Sequence, residues 1–303
     1  MATTDNHVFL IGRPPAQEFL GFIRSMAVDG QTADMAPLTE EWRVANDYVQ
    51  ALEVSEAGIA DNVPTFELPA DVVSLVDEVT KSPAFHNAFR MVPCDFVMVE
   101  LDRLVVFQKF INTGYVDGLK ETLSATPSNS ELVRFAFGIG RELPPVTMMQ
   151  SSQNTYTFIS PSGDFRFLDA ALLPPAQVSA PAANGHPVAF LGLSVGFGAN
   201  FLSALSVEGR LILTNGSHRA YCLRAMGITR APFIVQRITR RDELTLVASG
   251  DVGSNPDRYL KDKRPPLLKD YFDPKLTKVI AVARKKRMVR IQYLLDQSDV
   301  PDT

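Results

Sequence analysis

Asn215-Gly216-Ser217-His218-Arg219 places an imidazole, a hydroxyl and a guanidinium in one short stretch directly behind the apolar run Leu211 to Leu213. Asn215 and Gly216 are turn formers, Ala220, Leu223, Ala225 and Met226 favour helix, and Gly227 offers a C-terminal stop. Phe233-Ile234-Val235 then opens a β-type run. The order is strand, tight turn, helix, strand. Such a turn sets the backbone N–H groups of Gly216 to Arg219 at a helix N-terminus, where unpaired donors and the positive dipole end favour an anion. Arg219 would add a forked, permanently charged phosphate contact. The same dipole lowers the basicity of His218, which suits it to a neutral donor or general acid beside a phosphate. A plainer reading of the same residues makes Asn215 an N-cap, Ser217 a first-turn residue and Arg219 a solvated arginine.

This segment resembles the second signature box of the ParB/sulfiredoxin-like superfamily, in which a strand, a Gly-containing turn ending in arginine and a helix hold nucleotide phosphates. The Gly-Cys-His-Arg of sulfiredoxins aligns with Gly216-Ser217-His218-Arg219, and the Asp-Gly-His-Thr-Arg of free serine kinases with Asn215 to Arg219. Upstream, Val97-Met-Val-Glu-Leu-Asp-Arg-Leu-Val-Val-Phe-Gln108 followed by Tyr115-Val-Asp-Gly-Leu119 resembles the first box. Gln108 falls where ParB proteins carry the glutamine of Gln-Pro-Arg and serine kinases a catalytic glutamate.

The departures narrow what the resemblance implies. Ser217 replaces the sulfiredoxin thiolate and cannot do its redox chemistry. Gln108 is no base for a kinase reaction. Ser217 and His218 replace the two central residues of the ParB Gly-Glu-Arg-Arg box. Gly216 and Arg219 persist in every comparison. The resemblance therefore implies a nucleoside triphosphate, ATP or CTP with its magnesium, whose phosphates sit on Asn215, Gly216, Ser217, His218 and Arg219 with Gln108 lining the pocket. Phosphoryl transfer or NTP hydrolysis would then use His218 and Arg219. Glu100 or Asp102 would reach the magnesium. The alternative is a non-catalytic module that keeps the fold and binds a protein or nucleic acid.

Composition sets the frame around these boxes. The chain of 303 residues is 46% apolar and 21% charged, with net charge -4, which fits a globular protein and opposes whole-surface attraction to nucleic acid. Cys94 and Cys222 form no CxxC pair, so neither a disulfide framework nor zinc-ligand spacing is evident. A cytoplasmic protein without a signal peptide or membrane segment is expected.

The expected fold is mixed α+β in three parts: a helical N-terminal region over 1–90, a ParB/sulfiredoxin-like core over 91–240, and a basic extension over 241–303. Apolar spacing predicts helices near Pro15–Met26, Thr39–Val54 and from Leu68 onward. The core carries an insertion at about 124–187, where Thr155 to Asp169 reads as a hairpin turning at Pro161-Ser-Gly-Asp164. Residues 145–187 are the expected contact for a protein partner. Gly192 to Gly198 lacks P-loop and dinucleotide spacing and reads as a glycine-rich strand end. Val279 to Leu295 reads as a second hairpin whose basic tip, Arg284-Lys285-Lys286-Arg287, is the candidate nucleic-acid contact. Tyr271 and Phe272 suit either base stacking or core packing.

Overall fold

The computed structural model describes residues 3–179, 185–248 and 250–301. It has the expected mixed α+β character and divides into two compact units, Met1–Arg141 with Ala199–Arg284, and Glu142–Gly198 with Lys285–Thr303.

The first unit opens with β1 (Thr4–Leu10), α1 (Ala16–Met26), α2 (Met35–Ser55), β2 (Thr65–Phe66), α3 (Val73–Thr80), α4 (Pro83–Phe89), β3 (Cys94–Glu100), β4 (Phe110–Asn112), α5 (Thr113–Lys120) and α6 (Asn129–Phe137). The second unit supplies β5 (Thr147–Ser152), β6 (Thr155–Ser160), β7 (Phe165–Leu173) and β8 (Phe190–Phe197). The first resumes with β9 (Ser203–Val207), β10 (Arg210–Asn215), α7 (Ser217–Ala225) and β11 (Arg230–Ile238). It then adds the short helices α8 (Leu244–Val247), α9 (Gly250–Ser254) and α10 (Asp257–Leu260), and β12 (Thr277–Ala283); β13 (Arg287–Gln292) returns to the second unit.

Two sheets organise the first unit, a five-stranded one in the order β10-β9-β11-β3-β2 and a three-stranded one in the order β12-β1-β4. β11 is buried along nearly its whole length, as an interior strand covered on both faces must be. Pro232 is tolerated there because β11 pairs only with β3 at that point and meets β9 from Ile234 onward. The two boxes lie side by side: β3 pairs antiparallel with β11, and Val105 bridges Ile212 of β10. Their apolar residues share one core, in which Leu101, Leu104 and Ile111 meet Leu213, Ala220 and Leu223.

Four sequence expectations meet a different outcome here. The N-terminal region is not only helical, since β1 lies between β12 and β4 as the middle strand of its sheet. α2 begins at Met35, four residues before the expected Thr39: Asp34 accepts the Ala36 N–H at 3.0 Å, and the Thr39 hydroxyl donates back to Met35 O at 2.7 Å. Neither expected hairpin forms. Both edges of β6 are taken, by β5 and β13, so β7 runs on past the turn and pairs with β8 instead. β12 likewise pairs with β1, which leaves β13 to β6. The expected insertion at 124–187 also divides differently: α6 belongs to the first unit, and the second begins at Glu142 and takes in the C-terminal residues from Lys285. Residues 180–184 of the expected loop lie outside the described residues. Among the described residues no helix is long and apolar enough to cross a membrane.

Candidate functional site

The turn between β10 and α7 is built on Gly216. Its φ of 92° is left-handed, and a Cβ added there would stand 2.5 Å from Leu202 Cδ1 and 3.1 Å from Arg219 Nη2. Only glycine meets both demands. Gly216, not Asn215, is the N-cap residue, and among the described residues no side chain caps the helix. Asn215 is exposed and donates its Nδ2 to Ala199 O at 3.2 Å. Ser217 is the first residue of α7.

Arg219 is neither solvated nor offered to a phosphate. It is 4% exposed, and its Nη1 donates to the carbonyls of Phe135 at 3.0 Å, Ala136 at 2.6 Å and Asn200 at 2.8 Å. Two of those carbonyls end α6, where a cation answers both the unmet acceptors and the negative end of the helix dipole. The guanidinium turns inward and ties α7 to α6.

His218 stands between two helices. Its Nε2 accepts the Asn112 backbone N–H at 3.0 Å, and its ring stands edge-on to Tyr115 at 5.3 Å. Burial pulls its pKa down to about 4, with the neighbouring His7 adding to the same direction. At neutral pH the ring is uncharged and its Nε2 lone pair is engaged, so it has no proton there to give as a general acid. Asn112 is also the N-cap of α5, accepting the Tyr115 N–H at 3.0 Å. The imidazole thus joins the first turn of α7 to that of α5.

Gln108 is set apart from the turn. Its Nε2 donates to Phe110 O at 3.2 Å, and its own carbonyl accepts the Tyr271 hydroxyl. It lines a cavity of about 280 Å³, counting the open mouth, whose wall also includes Arg13, Lys109, Arg258 and Tyr259 and none of Asn215 to Arg219. The residues singled out in the sequence therefore do not converge on one pocket. Arg13 and Arg258 escaped the sequence reading of this site. The only local signals were a lone arginine before Pro14-Pro15 and the rise in basic residues from Arg258 to Lys269.

The remaining candidates take structural places. Asp102 accepts from Arg224 Nε at 2.5 Å, and Glu100 lies 3.9 Å from Arg103. Among the described residues no three His, Cys, Asp or Glu side chains converge as a metal cradle. Cys222 is fully buried, with its thiol pKa pushed up to about 11 by burial. Tyr271 is buried in the core and Phe272 stacks on Tyr221 at 4.6 Å, so neither offers a face to a base. Of the basic tip, Arg284 bonds Asp5 at 3.0 and 2.6 Å while Lys285, Lys286 and Arg287 are exposed.

In the second unit, the β7–β8 ribbon has one apolar face. Its pairs on that face are Phe165 with Phe197, Phe167 with Val195, Ala170 with Leu193, and Leu172 with Leu191. A bulge at Leu168 makes this possible: it shifts the alternation by one, so Asp169 falls on the opposite face. Phe165 is buried, but Phe167 is 46%, Leu172 75%, Leu191 67% and Leu193 37% exposed. Among the described residues the ribbon has no third strand.

No protein-family model, curated protein or solved structure matches this chain.

Proposed function

We propose that this chain is a non-catalytic binding module of the ParB/sulfiredoxin-like kind that takes a protein partner on the apolar face of the β7–β8 ribbon. The observation that carries the reading is that face: four cross-strand apolar pairs in register, three of them reaching solvent. A two-stranded ribbon is marginal in water on its own, and a contiguous exposed apolar patch marks an interaction surface. The turn supports the non-catalytic half of the reading. Arg219 and His218, the residues suited to transferring a phosphoryl group, bond backbone carbonyls and a backbone N–H instead. The fold-family half is supported by the adjacent boxes and by the glycine requirement at Gly216.

Nucleoside-triphosphate binding is the second reading, and it retains the half-buried turn and Gln108 among the cations Arg13, Lys109 and Arg258.

A photo-crosslinking residue at Leu191 tests the partner reading against the same residue at Val54, which is 83% exposed on α2. The expected result in cells is one discrete protein adduct at 191, absent at 54 and lost on adding Leu172→Asp, with the partner then rebinding the purified chain. An adduct of twice the chain mass would make that partner a second copy. Equal labelling at 191 and 54 would overturn the reading.

A further inference from the structure

We propose that the cavity walled by Arg13, Gln108, Lys109 and Arg258 binds a small oxyanion, the phosphate or carboxylate head of a small molecule. This stands apart from the partner reading, since every residue involved belongs to the first unit.

The argument begins with Arg13. Its side chain is 10% exposed, and Nη1 faces Glu53 at 3.1 Å and Asp262 at 3.3 Å. Nε and Nη2 are buried and have no hydrogen-bond partner among the described residues. These two nitrogens form the side-on edge of the guanidinium, the fork that grips two oxygens of a planar or tetrahedral anion. Buried donors with nothing to bond are costly.

The surroundings have the matching sign. Lys109 and Arg258 line the same cavity, and Arg258 Nη2 donates to the Arg13 carbonyl at 3.0 Å. The acids that pair with these cations are not among the residues lining the cavity. Glu18 pairs with Lys109, Asp251 lies 3.6 Å from Arg258, and neither these nor Glu53 and Asp262 line the cavity. The charged residues lining the cavity are therefore all cations, with Tyr259 as the other ionisable group, and burial works against the charged form of both Arg13 and Lys109. An anion between them relieves that pressure.

The experiment is titration calorimetry of the full chain with inorganic phosphate and with succinate, against chloride at equal ionic strength. Saturable binding of either is expected, phosphate alone identifying a phosphate ligand and succinate alone a carboxylate. Affinity should fall at least tenfold in Lys109→Met and in Arg13→Lys, which keeps a cation for Glu53 but removes the fork. Lys109, part-exposed on the wall, serves as the deciding variant if Arg13→Lys fails to fold. Leu191→Asp should leave binding unchanged. No saturable heat beyond chloride, or Lys109→Met binding like wild type, would overturn the proposal.

Discussion

Arg219 donates to the carbonyl of Ala136 at 2.6 Å, across more than eighty residues of chain, and so closes the C-terminus of α6 with the first turn of α7. Ala136 O also accepts the Leu202 N–H at 2.7 Å, so three segments meet at one acceptor. Hydrogen bonds from a charged donor contribute about 1.5–3 kcal/mol when one partner is removed, and truncating a buried side chain adds a cavity. Arg219→Ala should therefore cost about 3 kcal/mol in urea unfolding, with Arg219→Lys in between. If Arg219 were a phosphate ligand, the loss would appear in nucleotide binding and leave stability near wild type.

His218 gives a pH dependence whose sign is fixed by its burial. Its pKa is near 4 when folded and about 6.5 in an unfolded chain. Between those values the unfolded state holds the extra proton, so stability rises with pH across that window and is fully present above it. Lowering the pH from 7 to 4.5 should cost on the order of 2 kcal/mol through this group. His7, whose pKa burial lowers against the opposing pull of Asp5, acts in the same direction. The check is the midpoint of thermal unfolding at pH 4.5, 5.5 and 7 for wild type and His218→Gln. The variant should show the shallower slope, and identical slopes would show that the imidazole titrates in the fold as it does in the unfolded chain.

The second box was legible because its code is local: an apolar run, a turn pair and helix formers follow one another within twenty residues. What that code cannot carry is the direction of Arg219, since Ala136 and Asn200 are distant in sequence and the same residue would look identical facing water. β1 was hidden for a related reason. Its first half, Thr4-Asp5-Asn6-His7, reads as a polar tail, and the partner that makes it a strand is β12, at the far end of the chain. The hairpin signal at Thr155 to Asp169 was real as a turn but silent about neighbours, and the neighbours of β6 decided the pairing. The apolar face of the ribbon depends on a one-residue bulge at Leu168, which alternation counted along β7 alone does not reveal.

Arg264 gives a last prediction, of a kind the sequence did not suggest. Its side chain is 1% exposed, and the opposing Asp270 is 4% exposed. Burial disfavours the charged guanidinium, but hydrogen bonds and charge from Asp270 and Glu56 outweigh it and raise the Arg264 pKa. Asp270 also accepts the Leu267 N–H at 2.9 Å, so the bridge fixes the chain just before β12. Removing one partner strands a buried charge, at a cost of about 3–5 kcal/mol, whereas apolar replacement of both is often neutral. Arg264→Met and Asp270→Leu should each destabilise by that amount, and the double variant should recover most of the loss. Additive losses in a urea double-mutant cycle would mean that the two side chains do not act as a pair.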